Sequence, residues 1–287
     1  MIHELQNSGG LARIKSAYPS LTPTEKRVAD YCLEHPSEII YFSVTQLGER
    51  CGVGEATIIR FSQAVGFSGY QDLKLNLALE LATKKDHTVH GMLTADDSFQ
   101  TLVEKVTAMN ASALQDTSRL VNPKALSEAV DRIIQAKHLF LVGVGTSGLT
   151  ALDAQSKFLR IGMLSFALSD AHHQIMATAH ITKEDVCIGF SHSGSTKDTV
   201  DSMRLAKQNG AFTIAVTDIV KSPITEVSDL VLLTSSAEDP LQGGSLRSKI
   251  AQVHMLDLLY TGVALRLGDA AVELTKKTAR SVVEKLY

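Results

Sequence analysis

The chain has 287 residues, of which 44% are hydrophobic, so it can bury a sizeable core and is no disordered polymer. The formal net charge is only −3, which gives the chain as a whole no electrostatic attraction for nucleic acid. Its apolar runs are short and interrupted, which excludes a transmembrane helix.

The first 82 residues carry apolar side chains at helical spacing, which predicts an all-α region. Thr22, Pro23 and Glu25 have the types and spacing of a helix start, with Thr22 as N-cap and Glu25 completing a capping box. This helix should end near His35-Pro36, because the residue before a proline disfavours helical geometry. Further helices are predicted at Ser43–Cys51, Glu55–Val65 and Gly69–Ala82.

The segment from Val44 to Phe61 has the pattern of a helix-turn-helix motif, in which Cys51-Gly52-Val53 supplies the turn and glycine takes a positive φ. Its core is expected to contain Leu47, Val53, Ile58, Phe61 and Val65. Its second helix would present the polar side chains Glu55, Thr57, Arg60 and Gln63. In a DNA major groove, arginine suits guanine edges and glutamine suits adenine edges. The alternative is a plain helical bundle in which Arg60 is a solvated surface charge.

A polar stretch from Thr83 to Ser98 has little periodicity and is interpreted as a linker. Helices are predicted to resume at Phe99–Leu120 and Pro123–Ala136. Continuous apolar runs then follow at His138–Gly143, Leu164–Leu168, Val186–Phe190, Thr213–Val216 and Leu230–Leu233, separated by helical segments at Leu149–Ile161, His172–Ala179 and Thr199–Asn209. This alternation predicts a parallel sheet covered on both faces. The portion from Ser245 to Tyr287 is predicted to be helical.

The loop Ser191-His192-Ser193-Gly194-Ser195-Thr196 follows one of these strands and leads into a helix. The start of a helix has unpaired N–H groups and a partial positive charge, which favour anions. The hydroxyl groups add donors without adding charge, and the glycine allows a close approach of the backbone. The loop therefore predicts a site for the phosphate group of a small polar molecule.

A second loop, Gly143-Val144-Gly145-Thr146-Ser147-Gly148, follows the first predicted strand and offers the hydroxyls of Thr146 and Ser147 at another helix start. Ligands of open parallel sheets bind beyond the carboxyl ends of the strands, so the two loops are expected to converge. The glycine spacing also fits a dinucleotide-binding turn with Asp170 as its acid, but that interpretation gives the hydroxyl-rich loop no role. The plain alternative is two tight turns in a doubly wound sheet.

The two loops, in this order, resemble those of the sugar isomerase (SIS) domain over about residues 105–265. The resemblance implies that Ser191, Ser193 and Thr196 hold the phosphate of a phosphosugar. It also implies that the earlier loop contacts both sugar and phosphate through Gly145, Thr146 and Ser147.

Three further residues join the expected effector site. Ser195 belongs to the same hydroxyl-rich loop, and His192 stands where many SIS domains carry glutamine, which leaves its role open. Glu238 follows the last predicted strand, near the place where SIS isomerases keep an acidic residue. It is interpreted either as a partner of sugar hydroxyls or as a solvated loop carboxylate.

The run from Arg60 to Lys74, and the order of a helical head before a SIS domain, is similar to the RpiR family of bacterial transcription regulators over nearly the entire chain. In that family the head binds operator DNA and the SIS domain senses a phosphosugar. The resemblance adds Lys74 to Glu55, Thr57, Arg60 and Gln63 as candidate DNA contacts.

We therefore expect an α/β protein with an all-α helix-turn-helix domain over residues 1–82, a linker over 83–104, and an open parallel-sheet α/β/α SIS domain with C-terminal helices over 105–287. Its expected function is phosphosugar-responsive control of a carbohydrate or amino-sugar catabolic operon. The alternative is an aldose–ketose sugar phosphate isomerase with an accessory helical domain. Isomerisation needs a positioned general base. Glu238, His192 and His254 are available, but no spacing nominates one with an orienting partner, so no enzyme is expected.

The expected partners are operator DNA and a sugar phosphate, with no cofactor, metal or membrane. Helix-turn-helix dimers read half-sites about one helical turn apart, so we expect a homodimer or homotetramer. Three widely spaced cysteines and a start without a signal-peptide pattern favour a cytoplasmic protein. The resemblance to the RpiR family implies that the protein is bacterial and is associated with the nucleoid when it is bound to its operator. The identity of the sugar phosphate and the direction of regulation stay open.

Overall fold

The computed structural model of the protein describes residues 10–82, 88–89, 93–94, 96–236 and 246–283. These residues divide into two compact units. The first contains the described residues up to Thr107, and the second contains those from Ala108 onward.

The first unit is built mainly of helices. They are α1 (Gly10–Ala17), α2 (Pro23–Glu34), α3 (Pro36–Ile39), α4 (Val44–Cys51), α5 (Glu55–Ala64) and α6 (Tyr70–Ala82), with a turn of 3-10 helix at Tyr18–Ser20. Two short antiparallel strands, β1 (Thr88–Val89) and β2 (Leu93–Thr94), follow, and α7 (Phe99–Leu120) begins within the predicted linker. The predicted helices of this region are present, whereas α3 and the strand pair were not anticipated.

Side-chain caps fix the starts of two of these helices. The Thr22 hydroxyl accepts from the Glu25 N–H at 3.4 Å, and the Thr22 N–H donates to the Glu25 carboxylate at 2.9 Å, so the predicted capping box is present. Ser43 and Gln46 form a second capping box at the start of α4. Each box pairs two backbone groups that a helix start would otherwise leave without partners.

The turn between α4 and α5 depends on two glycines. Gly52 ends α4 in the left-handed region with φ of 62°, as the motif requires. The Val53 N–H donates to the Gly48 carbonyl at 2.8 Å, and a Cβ atom on Gly48 would lie only 2.8 Å from the Val53 carbonyl oxygen. Leu47, Ile58, Phe61 and Val65 are buried as predicted, while Val53 is half-buried.

The contact at Gly48 generates a stability prediction. A glycine-to-alanine change inside a helix normally stabilises the helix by up to about 1 kcal/mol. In Gly48→Ala the new methyl group meets the backbone of the turn, so we expect a loss of about 1–3 kcal/mol in the free energy of unfolding. Denaturant unfolding measures it, with Gly54→Ala as the control because a Cβ atom there meets no atom within 4 Å. Equal stability of wild type and Gly48→Ala would contradict this account of the turn.

The second unit alternates helices and strands. Its elements are α8 (Pro123–Gln135), β3 (Leu139–Val142), α9 (Thr146–Arg160), β4 (Ser165–Leu168), α10 (Ala171–Thr178), β5 (Val186–Phe190), α11 (Lys197–Gln208), β6 (Phe212–Thr217), α12 (Pro223–Glu226), β7 (Leu230–Leu233), α13 (Leu246–Leu267) and α14 (Asp269–Val283). Within the described residues the strands form one parallel sheet in the order β4-β3-β5-β6-β7. All five predicted strands are present, and the C-terminal portion that was predicted to be helical forms two helices separated at Gly268, where φ is 55°.

The sheet is covered on both faces, so the predicted three-layer α/β/α class is confirmed. Leu141, Ile188 and Ile214 belong to a core cluster with side chains of α8, α9 and α13. Cys187 and Ala215 belong to the cluster on the other face, with side chains of α11 and α12. Neighbouring residues of a strand point to opposite faces, which explains why each strand contributes to both clusters.

The strand order changes direction at the centre of the sheet. From β3 the chain passes through α9 to β4 on one side, and from β5 it passes through α11 to β6 on the other side. Because β3 and β5 are paired, with Val142 opposite Gly189, the loops that follow them start side by side at the carboxyl edge. This is the position at which doubly wound sheets bind ligands.

No helix in the described part of the chain is long and apolar enough to cross a membrane.

Candidate functional site

The loop from Ser191 to Thr196 connects β5 to α11 and leaves the start of α11 open. Thr196 is the N-cap residue with an extended backbone, but its side chain makes no capping hydrogen bond within the described residues. By contrast, Asn122 and Asp170 cap the starts of α8 and α10 with their side chains. The first-turn N–H groups of α11 therefore remain available to an anion.

Gly194 allows this loop to fold closely against the rest of the sheet edge. It is buried, with φ of 62°, and a Cβ atom there would overlap the Ser222 hydroxyl oxygen and lie 3.1 Å from that of Thr217. The Ile224 N–H donates to the Gly194 carbonyl at 2.9 Å, which ties the loop to α12. Only glycine fits this position without displacing its neighbours.

Hydrogen bonds within the loop join its hydroxyl-bearing residues in two pairs. Ser191 donates to the Thr196 hydroxyl at 3.4 Å, and the Ser193 hydroxyl accepts from the Ser195 N–H at 3.3 Å. Ser191 is buried, whereas Ser193, Ser195 and Thr196 are half-buried. Hydroxyl donors around an open helix start provide a neutral, donor-rich cradle of the kind that a phosphate group requires.

The loop after β3 has the same architecture. Gly145, with φ of 60°, is the N-cap residue of α9, and no side chain of the described residues caps this helix. Thr146 and Ser147 occupy its first turn. Ser147 is 9% exposed, and its hydroxyl oxygen accepts a hydrogen bond from the side-chain N–H of Gln252 at 3.1 Å. Two uncapped helix starts thus follow the two central strands of the sheet.

A polar cluster beneath the first loop was not predicted from the sequence. The Nδ1 atom of His192 lies 3.1 Å from a carboxylate oxygen of Asp218. That carboxylate also accepts from the Ser236 N–H at 2.9 Å, from the Ser236 hydroxyl at 2.6 Å and from the Thr234 hydroxyl. Asp218 follows β6 and Ser236 follows β7, so the cluster joins three strand ends. The signal available in the sequence was an acidic residue two positions after a predicted apolar run.

Asp218 is buried as an ionised group. Burial alone would raise the pKa of Asp218, but hydrogen bonds from His192, Ser236 and Thr234 favour its charged form and lower the pKa below the usual 3.8. The carboxylate is therefore a fixed negative charge that orients His192 within the loop.

Other sequence candidates lie elsewhere. Glu238 falls outside the described residues. The Nε2 atom of His254 lies 3.1 Å from the Ser118 hydroxyl on α7, a contact that suits a packing histidine. No group of three histidine, cysteine, aspartate or glutamate side chains within the described ranges could hold a metal ion.

The second helix of the motif, α5, exposes part of its predicted polar surface. Arg60 and Gln63 are exposed, and Arg60 donates to the half-buried Thr57 hydroxyl at 3.1 Å. Glu55 is half-buried and accepts a hydrogen bond from the Thr45 hydroxyl on α4. The start of α5 at Gly54 has no side-chain cap within the described residues, so its N–H groups can face a DNA phosphate.

Lys74 is placed differently from the other candidate DNA contacts. Its ammonium donates to the Phe42 carbonyl at 2.7 Å, and burial lowers the pKa of Lys74 to about 8. The bond ties α6 to the segment before α4. This geometry favours a structural role for Lys74 over a contact with DNA.

A helix-turn-helix unit followed by a parallel α/β unit with an open ligand site defines a class of transcription regulators. The helix-turn-helix domain of the rpiR family matches residues 8–84, and the SIS domain matches residues 132–262. An uncharacterized helix-turn-helix regulator of Haemophilus influenzae is 39% identical over 96% of both chains. The regulator HexR of Pseudomonas aeruginosa is 33% identical, also over 96% of both chains.

A solved structure extends the likeness to the whole fold. The NanR protein of Vibrio vulnificus, solved in complex with ManNAc-6P, has a TM-score of 0.83 and 26% sequence identity, over 97% of this chain and 100% of that chain. The chain belongs to the RpiR family of helix-turn-helix transcriptional regulators.

The buried carboxylate of Asp218 generates a pH prediction. Its pKa is lowered in the folded state, so its contribution to stability is complete above the unfolded-state value near 3.8 and is lost as the pH falls further. We expect Asp218→Asn to cost about 1–3 kcal/mol at neutral pH, because it loses hydrogen bonds to a charged group. Unfolding measured from neutral to acidic pH should show this difference shrinking below the unfolded-state value.

The exposed carboxylate of Glu128 provides the control, since its recorded partner among the described residues is Arg132, in a surface ion pair of 3.8 Å. Glu128→Gln should leave both the stability and its pH dependence close to those of wild type. A difference between Asp218→Asn and wild type that stayed constant into the acid range would contradict the assignment of Asp218 as a buried ion.

Proposed function

We propose that this regulator binds a sugar phosphate at the carboxyl edge of its sheet and that this binding changes its affinity for operator DNA. The observation that carries the proposal is the pair of uncapped helix starts, α9 and α11, that follow the two central strands. In this proposal Ser191, Ser193, Ser195 and Thr196 and the N–H groups of α11 bind the phosphate. An effector shifts DNA affinity only by binding two conformations unequally.

The sugar would lie against the loop after β3. Gly145, Thr146 and Ser147 are the proposed contacts on that side, with His192 and Glu238 as further candidates for sugar hydroxyls. The complex of NanR with ManNAc-6P supports a sugar phosphate as ligand and places amino-sugar phosphates among the first compounds to test. Hexose and pentose phosphates are also proposed effectors. The proposed regulatory target is a carbohydrate or amino-sugar catabolic operon.

DNA would be read by α5. Exposed Arg60 and Gln63 are the proposed base contacts, Glu55 and Thr57 flank them, and the open start of α5 would meet the phosphate backbone. Reading two half-sites requires two heads, so the proposed assembly is a homodimer or homotetramer. The proposed division of the chain stays at 1–82 for the head, 83–104 for the linker and 105–287 for the SIS domain, in a cytoplasmic protein that joins the nucleoid when it binds its operator.

One observation keeps sugar phosphate isomerisation as a second candidate. His192 and Asp218 form the pair of imidazole and orienting carboxylate that general bases often use. Incubating the protein with each sugar phosphate and following the isomer ratio by NMR distinguishes the two functions. The proposed regulator binds without turnover, and conversion at enzymatic rates would favour the isomerase.

The ligand class is tested by a thermal-shift panel of amino-sugar, hexose and pentose phosphates, each paired with its unphosphorylated sugar. Compounds that bind the folded state raise its melting temperature by mass action. The proposal requires at least one sugar phosphate to stabilise the protein and to change its DNA affinity, while the unphosphorylated sugar does neither. A panel without any stabilising sugar phosphate would contradict it.

The role of Arg60 is tested on DNA sites selected from random duplexes by the wild-type protein. Arg60→Ala should weaken binding to the selected site by about 1–3 kcal/mol and relax the sequence preference at one position, because a bidentate base contact is lost. Lys277→Ala removes the same charge from the exposed surface of α14 and serves as the control. Unchanged affinity and unchanged preference for Arg60→Ala would exclude Arg60 as a base-reading residue.

The role of Ser193 is tested with the sugar phosphate that the panel identifies. Ser193→Ala removes a hydroxyl donor to the phosphate, and a hydrogen bond to a charged group contributes about 1.5–3 kcal/mol, so we expect the effector affinity to fall about tenfold or more. DNA binding without effector is the internal measure of an intact head. Ser281→Ala, on the exposed surface of α14, is the matched control. A Ser193→Ala protein that still responds at wild-type effector concentrations would refute the phosphate role.

A further inference from the structure

We propose that Gln252 is a positioning residue, which orients the Ser147 hydroxyl so that it donates its hydrogen to the bound phosphate group. This inference rests on the proposed phosphate site. In it Gln252 affects phosphate binding through Ser147, without contacting the phosphate. It is carried by a chain of three hydrogen bonds that runs from α13 to the first turn of α9.

This chain of hydrogen bonds begins at Lys249 and ends at Ser147. The Lys249 ammonium donates to the Thr150 hydroxyl oxygen at 3.0 Å, and the Thr150 hydroxyl donates to the Gln252 side-chain carbonyl at 3.0 Å. The Gln252 side-chain N–H then donates to the Ser147 hydroxyl oxygen at 3.1 Å. Thr150 is fully buried and Gln252 is 2% exposed, so water does not compete for the Thr150–Gln252 and Gln252–Ser147 hydrogen bonds.

The ammonium gives the chain a direction. A lysine ammonium only donates, so the Thr150 oxygen accepts from it and the Thr150 hydrogen has to be donated elsewhere. The acceptors recorded for it are the Gln252 carbonyl at 3.0 Å and the backbone carbonyl of Thr146 at 3.5 Å. With the Gln252 amide turned around, the Thr150 oxygen would face two donors, the Lys249 ammonium and the Gln252 N–H. Of the two recorded acceptors, the Thr150 hydrogen would then be left with the Thr146 carbonyl at 3.5 Å. The shorter contact therefore fixes which end of the amide faces Thr150.

The direction of these hydrogen bonds determines whether the Ser147 hydroxyl acts as a donor or an acceptor toward a ligand. Because its oxygen accepts from Gln252, its single hydrogen is directed away from that partner. Ser147 lies in the first turn of α9, beside an uncapped helix start, and β3 and β5 pair so that the two ligand loops begin side by side. A hydroxyl that is already oriented as a donor binds an anion without first breaking a hydrogen bond to the protein.

The test removes the chain without changing charge. Thr150→Val and Gln252→Met are close in size to the native residues and interrupt the chain in the middle and next to Ser147. The probe is inorganic phosphate, because the inference concerns only the phosphate group, and its dissociation constant is followed by ³¹P NMR over the millimolar range. A neutral hydrogen bond contributes about 0.5–1.5 kcal/mol, so each variant should weaken phosphate binding about threefold to tenfold.

The decisive comparison repeats both variants in a Ser147→Ala background. If Gln252 acts through Ser147, neither variant weakens phosphate binding further once the Ser147 hydroxyl is absent. If Thr150 and Gln252 had only a structural role, each variant would weaken phosphate binding by the same factor with and without the Ser147 hydroxyl. Thr178→Val is the matched control, because Thr178 is fully buried and donates to a carbonyl of its own helix at the far end of α10. It should lower the melting temperature as Thr150→Val does and leave phosphate binding unchanged.

The outcomes separate this inference from the proposed function. Phosphate binding that is absent in wild type, or unchanged in Ser147→Ala, would count against the proposed site. Weakening by Ser147→Ala without weakening by Thr150→Val or Gln252→Met would overturn the positioning role alone, and so would equal weakening in both backgrounds. Should Gln252→Met fail to fold, Thr150→Val decides the question by itself.

Discussion

The parallel pairing of β3 with β5 is the constraint on which the candidate ligand site depends. These neighbours lie at the centre of the sheet and send the chain in opposite directions, β3 toward β4 and β5 toward β6. Two connections that leave in opposite directions open a crevice at the carboxyl edge, and each ends in a helix start. A shift in the register of β5 would bury the wrong side chains, since neighbouring residues of a strand face opposite layers of the domain. The packing of the core therefore also fixes the position of the loops.

Around that crevice, two buried polar arrangements hold the two loops of the candidate site by different means. The Asp218 carboxylate is a fixed acceptor that ties His192 to the ends of β6 and β7. The amide of Gln252 instead supplies a donor to Ser147, in a direction set by Lys249. Buried polar groups of this kind are costly unless every partner is present, so they specify one arrangement of the loops rather than several.

The sequence predicted most of the fold because its strongest signals are local. Val186–Phe190 is a continuous apolar run and occurs as a strand with the predicted limits, and Thr22 with Glu25 forms the predicted capping box. C-terminal helices were predicted without the position of the break between them, although Gly268, where α13 ends and α14 begins, was an available signal. Short elements such as α3 and α12 have too few residues for a period to be read.

The two loops of the candidate site could be located from the sequence, but the contacts that support these loops could not. The hydroxyl-rich loop after β5 could be recognised because its residues are consecutive. Ser147 and Gln252 are 105 positions apart and meet only when α9 packs against α13, so no spacing connects them. Lys74 shows a different limit. Its residue type suggests an exposed cation, yet its long side chain reaches a backbone carbonyl inside the head, because lysine stems lie readily along apolar surface.

The central claim is that sugar phosphate binding and DNA binding are linked in one protein. Linkage is reciprocal, so the measurement that tests it most directly is the affinity for each ligand in the presence and absence of the other. Fluorescence anisotropy on selected operator DNA gives one coupling factor, and calorimetric titration of the sugar phosphate gives the second. The account predicts the same factor from both, typically about fivefold or more. Two affinities that are each unaffected by the other ligand would contradict it.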